Sequence, residues 1–347
     1  MRITPSWFAA AATVLAVMTM AIAVRANAQD NKCAKNISAC GCTISLPGKY
    51  QVSTDIYGFQ GLTLKYGCID VNASQVTLTV KGSIVGPSVN SCDTPPSQLT
   101  RGGMQPRSKE AWPSAVQRML PQAPDDNEGI PVGIHVLPGV SNVALNFVLD
   151  EDVCGWTYGV ESEGTNVSIK TMGTYDNQVG LMLNNVTGNT CLHCDAEFNM
   201  TGVEVYYGSG NSYTDGSGSN NYQYGFWVYN STGNTFTDNF ANYNSIAGFY
   251  LGCSAIGEYA TSERCHTNQN SILNNIAGDN GDAPYTPGFG IAEEWGGLYN
   301  VVENNTTEDP SFNMYNLTID IVDGNGNCIY DTYKNNMYQT KKPNCIH

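Results

Sequence analysis

The sequence predicts an all-β protein, a right-handed parallel β-helix solenoid of about ten rungs that disulfide bonds staple together. Three observations support this prediction: a short repeat, a composition suited to strands and turns, and an even number of cysteines. Only 14% of the 347 residues are charged, and 36 are glycines. Such a composition favours many short strands and turns over helices.

The repeat is a Gly-apolar-x-apolar phrase, spaced by 26, 21, 22, 23, 23 and 40 residues. It starts at Gly133, Gly159, Gly180, Gly202, Gly225, Gly248 and Gly288. An Asn-led phrase follows each one, as at Asn189-Thr190 and Asn234-Thr235. Two phrases in each period of about 22 residues indicate two short strands separated by turns. One repeat cannot bury its own apolar face, whereas stacked repeats can, so the pattern is typical of a solenoid.

This repeat resembles that of the pectate-lyase-like superfamily of right-handed parallel β-helices. In the segment Asn-Thr-Phe-Thr-Asp-Asn (Asn234 to Asn239), the repeat resembles that of the periplasmic copper-binding-type β-helix repeat subgroup. The resemblance covers roughly residues 43–336. It implies the fold more than an activity, because this superfamily includes lyases, hydrolases, epimerases and non-catalytic surface proteins. No Met-rich or His-rich cluster in the sequence supports copper binding.

The chain divides into a leader and one domain. Residues 1–28 contain Arg2, an apolar stretch, and Ala26-Asn27-Ala28, the small-x-small pattern of a secretory signal peptide. We therefore expect a secreted or periplasmic protein. Residues 29–347 are expected to form a single β-helix domain, without membrane insertion, since no segment has the roughly 18 to 20 apolar residues of a spanning helix. Its expected parts are an amino-terminal cap at 29–67, a Pro-rich loop insertion at 93–129, a disulfide-closed insertion at 254–287, and a carboxyl-terminal cap at 328–347.

Twelve cysteines behind an export signal favour disulfides over free thiols or metal sites. We expect Cys253 to pair with Cys265 across an insertion, and Cys328 to pair with Cys345 at the carboxyl end. Cys191-Leu192-His193-Cys194 is interpreted as a structural disulfide, because the repeat offers neither matching zinc ligands nor a strand-to-helix turn.

The formal net charge of −15 is concentrated in residues 130–347, which carry 23 acidic and 5 basic side chains. A surface this acidic repels phosphate backbones, so nucleic acid is not expected as a partner. The expected partner is a polysaccharide, bound by a monomer. No cofactor is required by the sequence, and Ca²⁺ is the candidate, since an anionic glycan would need a bridging cation.

Strand alternation predicts a column of outward side chains, one from each rung: His135, Glu161, Met182, Glu204, Trp227 and Tyr250. Aromatic rings stack on sugar rings and carboxylates bind hydroxyl groups, so this column is typical of a sugar-binding face. We predict catalytic roles for His135, Glu161 and Glu204, and substrate binding by Trp227 and Tyr250. Two rungs would separate the glutamates by about 10 Å, near the spacing of inverting glycoside hydrolases.

Other candidates lie outside this column. Glu293-Glu294-Trp295 is the densest acid–aromatic cluster, expected on a turn and predicted to bind substrate. Lys170 or Arg264 would be the base if the protein were a lyase. Asp215 and Asp238 would be neighbours in adjacent rungs that bind a metal ion, although such residues are more often ordinary turn-formers.

The function predicted from the sequence is that of an exported β-helix protein that acts on or binds a polysaccharide. Hydrolase, lyase and epimerase are all left open, as is whether the protein is an enzyme. The alternative is a non-catalytic structural or adhesive surface protein. It is favoured by the absence of a complete catalytic signature, such as the Gly-His-Gly and Arg-x-Lys set of polygalacturonases.

Overall fold

The computed structural model describes residues 32–58, 67–89, 92, 131–148, 152–252, 266–281, 288–293, 297–307, 319–325, 328 and 330–346. These residues contain 27 strands and no helix. Every strand pair in them is parallel, and each strand pairs with strands one turn of the chain before and after it. The prediction of an all-β parallel β-helix is confirmed.

The strands form three sheets that run the length of the solenoid. The first sheet contains β2 (Cys42–Ile44), β5 (Ile69–Val71), β8 (Val132–Val136), β11 (Tyr158–Ser162), β14 (Val179–Asn184), β17 (Thr201–Tyr206), β19 (Tyr224–Tyr229), β21 (Ala247–Leu251), β23 (Phe289–Glu293), β25 (Ile319–Asp323) and β27 (Lys341–Lys342). The second contains β1 (Asn36–Ile37), β3 (Gly48–Val52), β6 (Val76–Val80), β9 (Ala144–Phe147), β12 (Ser168–Lys170), β15 (Thr190–Leu192), β18 (Ser212–Thr214), β20 (Thr235–Thr237), β22 (Ser271–Leu273), β24 (Val301–Glu303) and β26 (Thr332–Lys334). The third contains β4 (Ile56–Tyr57), β7 (Ile84–Val85), β10 (Asp152–Cys154), β13 (Gly173–Tyr175) and β16 (Asp195–Ala196).

Each full turn of the chain passes through the first, second and third sheets in that order. After β16 the third side continues as single bridges rather than strands, for example between Ser217 and Phe240 and between Phe240 and Ile276. The first sheet therefore forms one long face whose outward side chains line up rung by rung, and this face carries the candidate site.

The interior is filled by apolar side chains that repeat at the same strand positions. In the first sheet these are Ile134, Val160, Leu181, Val203, Phe226, Phe249 and Ile291, none of them more than 1% exposed. Phe226 and Phe249 stack face to face with ring centroids 4.6 Å apart. Since alternate residues of a strand point to opposite faces, the residues that follow these in sequence point outward.

Three ladders of buried asparagines support the turns between sheets. They are Asn177, Asn199, Asn221, Asn244 and Asn280; Asn189, Asn211, Asn234, Asn270 and Asn300; and Asn239, Asn275, Asn305 and Asn336. The backbone N–H of each donates to the side-chain Oδ1 of the next at 2.8–3.0 Å. These bonds satisfy backbone groups that the sheets leave unpaired at the turns.

The glycine of the repeat phrase is explained by close packing of successive rungs. A Cβ on Gly202 would lie 2.6 Å from the carbonyl oxygen of Gly225 and 2.7 Å from that of Ala196. Both contacts are with backbone atoms of the solenoid itself, which cannot move away as a flexible side chain could. The repeat therefore requires a residue without a side chain at this position.

Five disulfides lie in the described residues: Cys33–Cys42, Cys40–Cys68, Cys92–Cys154, Cys191–Cys194 and Cys328–Cys345. The predicted pairing of Cys328 with Cys345 and the structural interpretation of Cys191 and Cys194 are confirmed. The predicted Cys253–Cys265 pair lies outside the described residues.

Several segments predicted from the sequence also lie outside the described residues. These are the 1–28 leader, the 93–129 insertion, and much of the 254–287 insertion. Within 254–287, residues 266–281 are described and include β22 of the second sheet. Among the described residues, no helix has the length and apolar character needed to cross a membrane.

Candidate functional site

The outward side chains of the first sheet form a column with the register that the sequence predicted. Strand pairing aligns Asp70, His135, Glu161, Met182, Glu204, Trp227 and Tyr250 across seven successive strands. We call this set the outer column. The sequence analysis did not include Asp70, which extends the column by one rung beyond His135.

At one end of the outer column, titratable side chains gather around His135. Its Nε2 atom lies 2.9 Å from Oε2 of Glu163 and 3.8 Å from Oε2 of Glu161. On the other side of the ring, Nδ1 lies 3.8 Å from Oδ1 of Asp70. We call these four residues the acid–histidine cluster.

Asn184 connects two members of this cluster. Its Nδ2 donates to Oε1 of Glu161 and to Oε1 of Glu163, both at 3.3 Å. Asp70 is fixed separately, because the backbone N–H of Gly67 donates to its Oδ1 at 2.7 Å. The carboxylates are thus held in defined orientations around the imidazole.

Burial shifts the proton affinities of the carboxyl groups along the outer column. It raises the pKa of Asp70 to about 6, against the opposing hydrogen bond from Gly67 and the neighbouring His135. Burial also raises the pKa of Glu161, while His135 and the Asn184 hydrogen bond oppose that rise. For Glu204, burial is the single cause, and it raises the pKa to about 7. A carboxyl group of this kind is partly protonated at neutral pH, as a general acid must be.

Tyr158 lies close enough to both glutamates to respond to their charge. Burial, followed by the charges of Glu161 and Glu204, raises the pKa of its phenol to about 12. The phenol therefore keeps its proton and can donate a hydrogen bond near the two carboxyl groups. The sequence analysis missed Tyr158, since the aligned positions in neighbouring strands are the apolar Val132 and Val179.

Beyond Glu204, the face becomes aromatic. Tyr206 stacks on Tyr229 with centroids 4.8 Å apart, and Tyr207 contacts both rings edge-on. Trp227 lies 6.1 Å from Tyr229, and its indole N–H donates to the carbonyl of Gly252 at 3.0 Å. Tyr207 is 50% exposed. These four residues, the aromatic surface, bring aromatic rings and phenol groups together in the rungs next to Glu204, and such groups are common in sugar-binding sites.

Tyr250 has the predicted register but little exposure. Its side chain is only 3% exposed and stacks on Tyr224 with centroids 5.1 Å apart. Both belong to an apolar cluster with Phe289 and Ala292. Tyr250 therefore supports Trp227, 6.3 Å away, and has little surface of its own to offer a sugar ring.

Glu293 lies in strand β23 rather than on the expected turn, and it is 4% exposed. The Tyr333 hydroxyl donates to its Oε2 at 2.7 Å, and Asn300 Nδ2 donates to its Oε1 at 2.6 Å. Burial, followed by the charge of Asp331, raises its pKa to about 8. Its position is thus among buried groups rather than on the face of the outer column. Glu294 and Trp295 lie outside the described residues.

The alternative candidates lie elsewhere. Lys170 ends strand β12 of the second sheet, so it is not on the face of the outer column. Arg264 lies outside the described residues. Asp215 and Asp238 each follow a strand of the second sheet with positive φ angles of 53° and 57°, as turn residues do. Asp215 pairs with His193 at 3.1 Å on the exposed surface.

Two groups of side chains in the described residues bring three potential metal ligands within 4.8 Å of one another. One is His135, Glu161 and Glu163, from the acid–histidine cluster; the other is Glu293, Asp323 and Asp331. Asp215 and Asp238 are in neither group. Sequence reasoning missed Glu163, because it lies beyond the end of β11, where strand alternation no longer indicates direction.

No protein family profile matches the chain, and no curated protein matches it in sequence. Among solved structures, it is similar to the A-module of the mannuronan C-5 epimerase AlgE4 from Azotobacter vinelandii, at 12% identity and a TM-score of 0.44, covering 88% of this chain and 87% of that one. It is also similar to the pectate lyase Pel9A, at 13% identity and a TM-score of 0.39, covering 88% and 70%. A third structure is the DFA-IIIase from Arthrobacter chlorophenolicus, at 13% identity and a TM-score of 0.43, covering 88% and 79%. Similarities this distant assign no activity, and none shows the copper-binding-type subgroup.

Proposed function

We propose that this protein is an exported glycoside hydrolase that cleaves a neutral polysaccharide on the outer column. The observation that carries the proposal is the pairing of two unlike carboxyl groups on one face. Glu204 has a pKa of about 7 set by burial alone. Glu161, two rungs away in register, lies beside His135 and Asn184. In glycosidases, two carboxyl groups take the acid role and the base role because their environments differ.

In this reaction Glu204, protonated, donates its proton to the glycosidic oxygen as the bond to the anomeric carbon breaks. Water attacks the anomeric carbon from the opposite side and loses its proton to the acid–histidine cluster, where Glu161 is the acceptor. The sum is the addition of one water across one glycosidic bond. Two rungs separate the carboxyl-bearing strands by about 9.6 Å, which leaves room for that water and favours inversion of the anomeric centre.

The aromatic surface supplies binding on the Glu204 side. Tyr206, Tyr229 and Trp227 form a contiguous aromatic group, and sugar rings pack against aromatic side chains through their C–H groups. The phenol of Tyr158 is placed to donate a hydrogen bond to a hydroxyl group of the sugar at the point of cleavage.

A hydrolase is favoured over a lyase or an epimerase by the lack of cationic side chains. Lys170 is the single Lys or Arg in residues 131–252, and it lies in the second sheet. Both alternative reactions need a base that removes the proton next to a uronate carboxylate, and the Lys or Arg predicted for that role is not on this face in the described residues. A neutral glycan needs no such group.

The test is an activity assay of Glu161→Gln and Glu204→Gln on a panel of neutral polysaccharides, recording new reducing ends and the absorbance near 235 nm of unsaturated elimination products. Each variant should lose on the order of 100- to 10,000-fold in kcat. Glu303→Gln is the matched control, because Glu303 is a glutamate of the second sheet paired with Lys334. Full activity in both site variants, or an elimination product from the unmodified protein, would overturn the proposal.

A further inference from the structure

We propose that His135, Glu161 and Glu163 bind a divalent first-row transition metal ion, with Zn²⁺ as the representative. Each of the three residues offers one ligand atom, and these atoms all lie within 4.8 Å of one another; the atoms nearest to Nε2 of His135 are Oε2 of each glutamate. The proposal that these residues bind a metal ion is argued from the geometry of the three side chains and does not depend on the proposed function. The role of the ion, to hold the water that attacks the sugar while Oε1 of Glu161 accepts the proton of that water, rests on the proposed function.

The distances suit an ion of this size. Zinc binds imidazole nitrogen and carboxylate oxygen at about 2.0 to 2.2 Å, so tetrahedral ligands lie about 3.4 Å from one another. The separations from Nε2 to the two Oε2 atoms are 2.9 and 3.8 Å, on either side of that value. Adjustments of about half an ångström would complete the three-ligand set.

Side chains next to the three ligands fix the orientation of the ligands. Asn184 donates to Oε1 of both glutamates, which leaves both Oε2 atoms directed at His135. Asp70 lies on the Nδ1 side of the ring, 3.8 Å away. In this structure Nε2 hydrogen-bonds to Glu163 at 2.9 Å; once an ion takes that position, a carboxylate on the Nδ1 side would hold the proton at Nδ1, as the residues behind metal ligands usually do.

The two oxygens of the Glu161 carboxylate have different surroundings. The side chain is 10% exposed, its Oε1 accepts a hydrogen bond from Asn184, and its Oε2 lies 3.8 Å from Nε2 of His135, which is longer than a hydrogen bond. Buried carboxylate oxygens are costly unless paired or bound to a metal. With Lys170 the only basic side chain in residues 131–252, and on another sheet, a cation is the group that fits this position.

The donor set selects the class of ion. Imidazole nitrogen suits zinc and its neighbours, whereas Ca²⁺ takes six to eight oxygen ligands. Three protein ligands on an outward sheet face leave a fourth position open to water or substrate, which is the pattern of catalytic rather than structural zinc sites.

The test measures binding without substrate. Purified, disulfide-intact protein is stripped with chelator and titrated with Zn²⁺ by calorimetry, and the absorption bands of Co²⁺ are recorded as a direct report on tetrahedral nitrogen and oxygen ligands. We expect one ion per chain, retained in a 100-fold excess of Ca²⁺. His135→Ala should weaken binding at least about 100-fold and Asn184→Ala about 10-fold. His193→Ala, which removes an exposed histidine of the second-sheet turns, should leave it unchanged.

The Co²⁺ spectrum of the unmodified protein keeps the test decisive if a variant fails to fold. No zinc bound, zinc bound equally by the His135→Ala variant, or Ca²⁺ in preference to Zn²⁺ would each overturn the inference. Hydrolysis by fully stripped protein that binds no zinc would contradict the metal site and leave the hydrolase. Zinc bound at His135 with no hydrolysis of any glycan would contradict the hydrolase and leave the site.

Discussion

Two large side chains, Met182 and Trp227, flank Glu204 in the outer column. Met182 lies between Glu161 and Glu204 in register and is 6% exposed, so we expect it to contribute to the burial of the Glu204 carboxyl group. Burial is the cause that raises the pKa of Glu204 to about 7. Because Glu204 must be protonated to act as the acid, kcat/KM should fall as the pH rises above about 7.

Replacing Met182 by Ser should admit water and favour the ionised form of Glu204. The pKa of Glu204 should then fall, and the basic limb of the kcat/KM profile should move to lower pH by roughly half a unit. Met337→Ser is the control, since Met337 is 56% exposed on the third side of the solenoid. If the basic limb of the kcat/KM profile of the Met182→Ser variant stays in place or moves to higher pH, the titration of another group must determine its position.

The site residues that the sequence predicted differ in their position within the strand from those that it did not predict. His135, Glu161 and Glu204 lie in mid-strand, where alternation fixes the outward direction. Glu163 and Asn184 lie at or beyond strand ends, where the chain turns and alternation no longer applies. Asp70 was missed because the long interval between it and Gly133 carries no repeat phrase from which a register could be extended.

At the scale of the element, the asparagine ladders make successive rungs depend on one another. Oδ1 of Asn234 accepts hydrogen bonds from the backbone N–H and the Nδ2 of Asn211, at 3.0 and 2.9 Å. Asn234→Ala leaves the backbone N–H of Asn211 without its acceptor and leaves Nδ2 of Asn211 with only the Val186 carbonyl at 3.4 Å, which should lower the free energy of unfolding by about 3 kcal/mol. Denaturant unfolding followed by circular dichroism measures this. Asn146→Ala, on the outer face of the second sheet, should change it by less than about 0.5 kcal/mol. Equal losses in the two variants would count against a structural role for the ladder.

Elements were predictable from the sequence where the glycine phrase marks them, and less so elsewhere. The Asn-led phrases mark the second sheet less clearly than the glycine phrases mark the first. Lys170 pairs with Leu192 rather than with His193, which has a φ of 53° in the turn after the strand. Apolar residues occur at variable offsets in those phrases, so the register was ambiguous. The third sheet was not predicted at all, because strands of two or three residues have no alternation to read.

At the scale of the whole molecule, the carboxyl-terminal rungs contain a concentration of buried acid. One asparagine ladder ends there on an aspartate, since the backbone N–H of Asn300 donates to Asp331 at 2.9 Å. Glu293, Asp323 and Asp331 are all buried. The ordinary pKa of Glu293 is 4.5, and in the folded protein it is about 8, raised by burial first and then by the charge of Asp331. The folded state therefore binds a proton that the unfolded chain has released across this interval.

The stability of the protein should accordingly decrease as the pH rises from about 4.5 to 8. A carboxyl group with a raised folded pKa stabilises the fold fully below its unfolded pKa, and that contribution is lost as the pH passes through the folded value. The expected loss is roughly 3 kcal/mol between pH 5 and 8. Glu293→Gln, which resembles the protonated form and can still accept from Asn300, should flatten this decrease in thermal unfolding curves and raise Tm at pH 8. Glu303→Gln, a more exposed glutamate on the neighbouring strand β24, should keep the slope of the unmodified protein. If the Glu293→Gln variant retains that slope, the pH dependence must arise from other carboxyl groups.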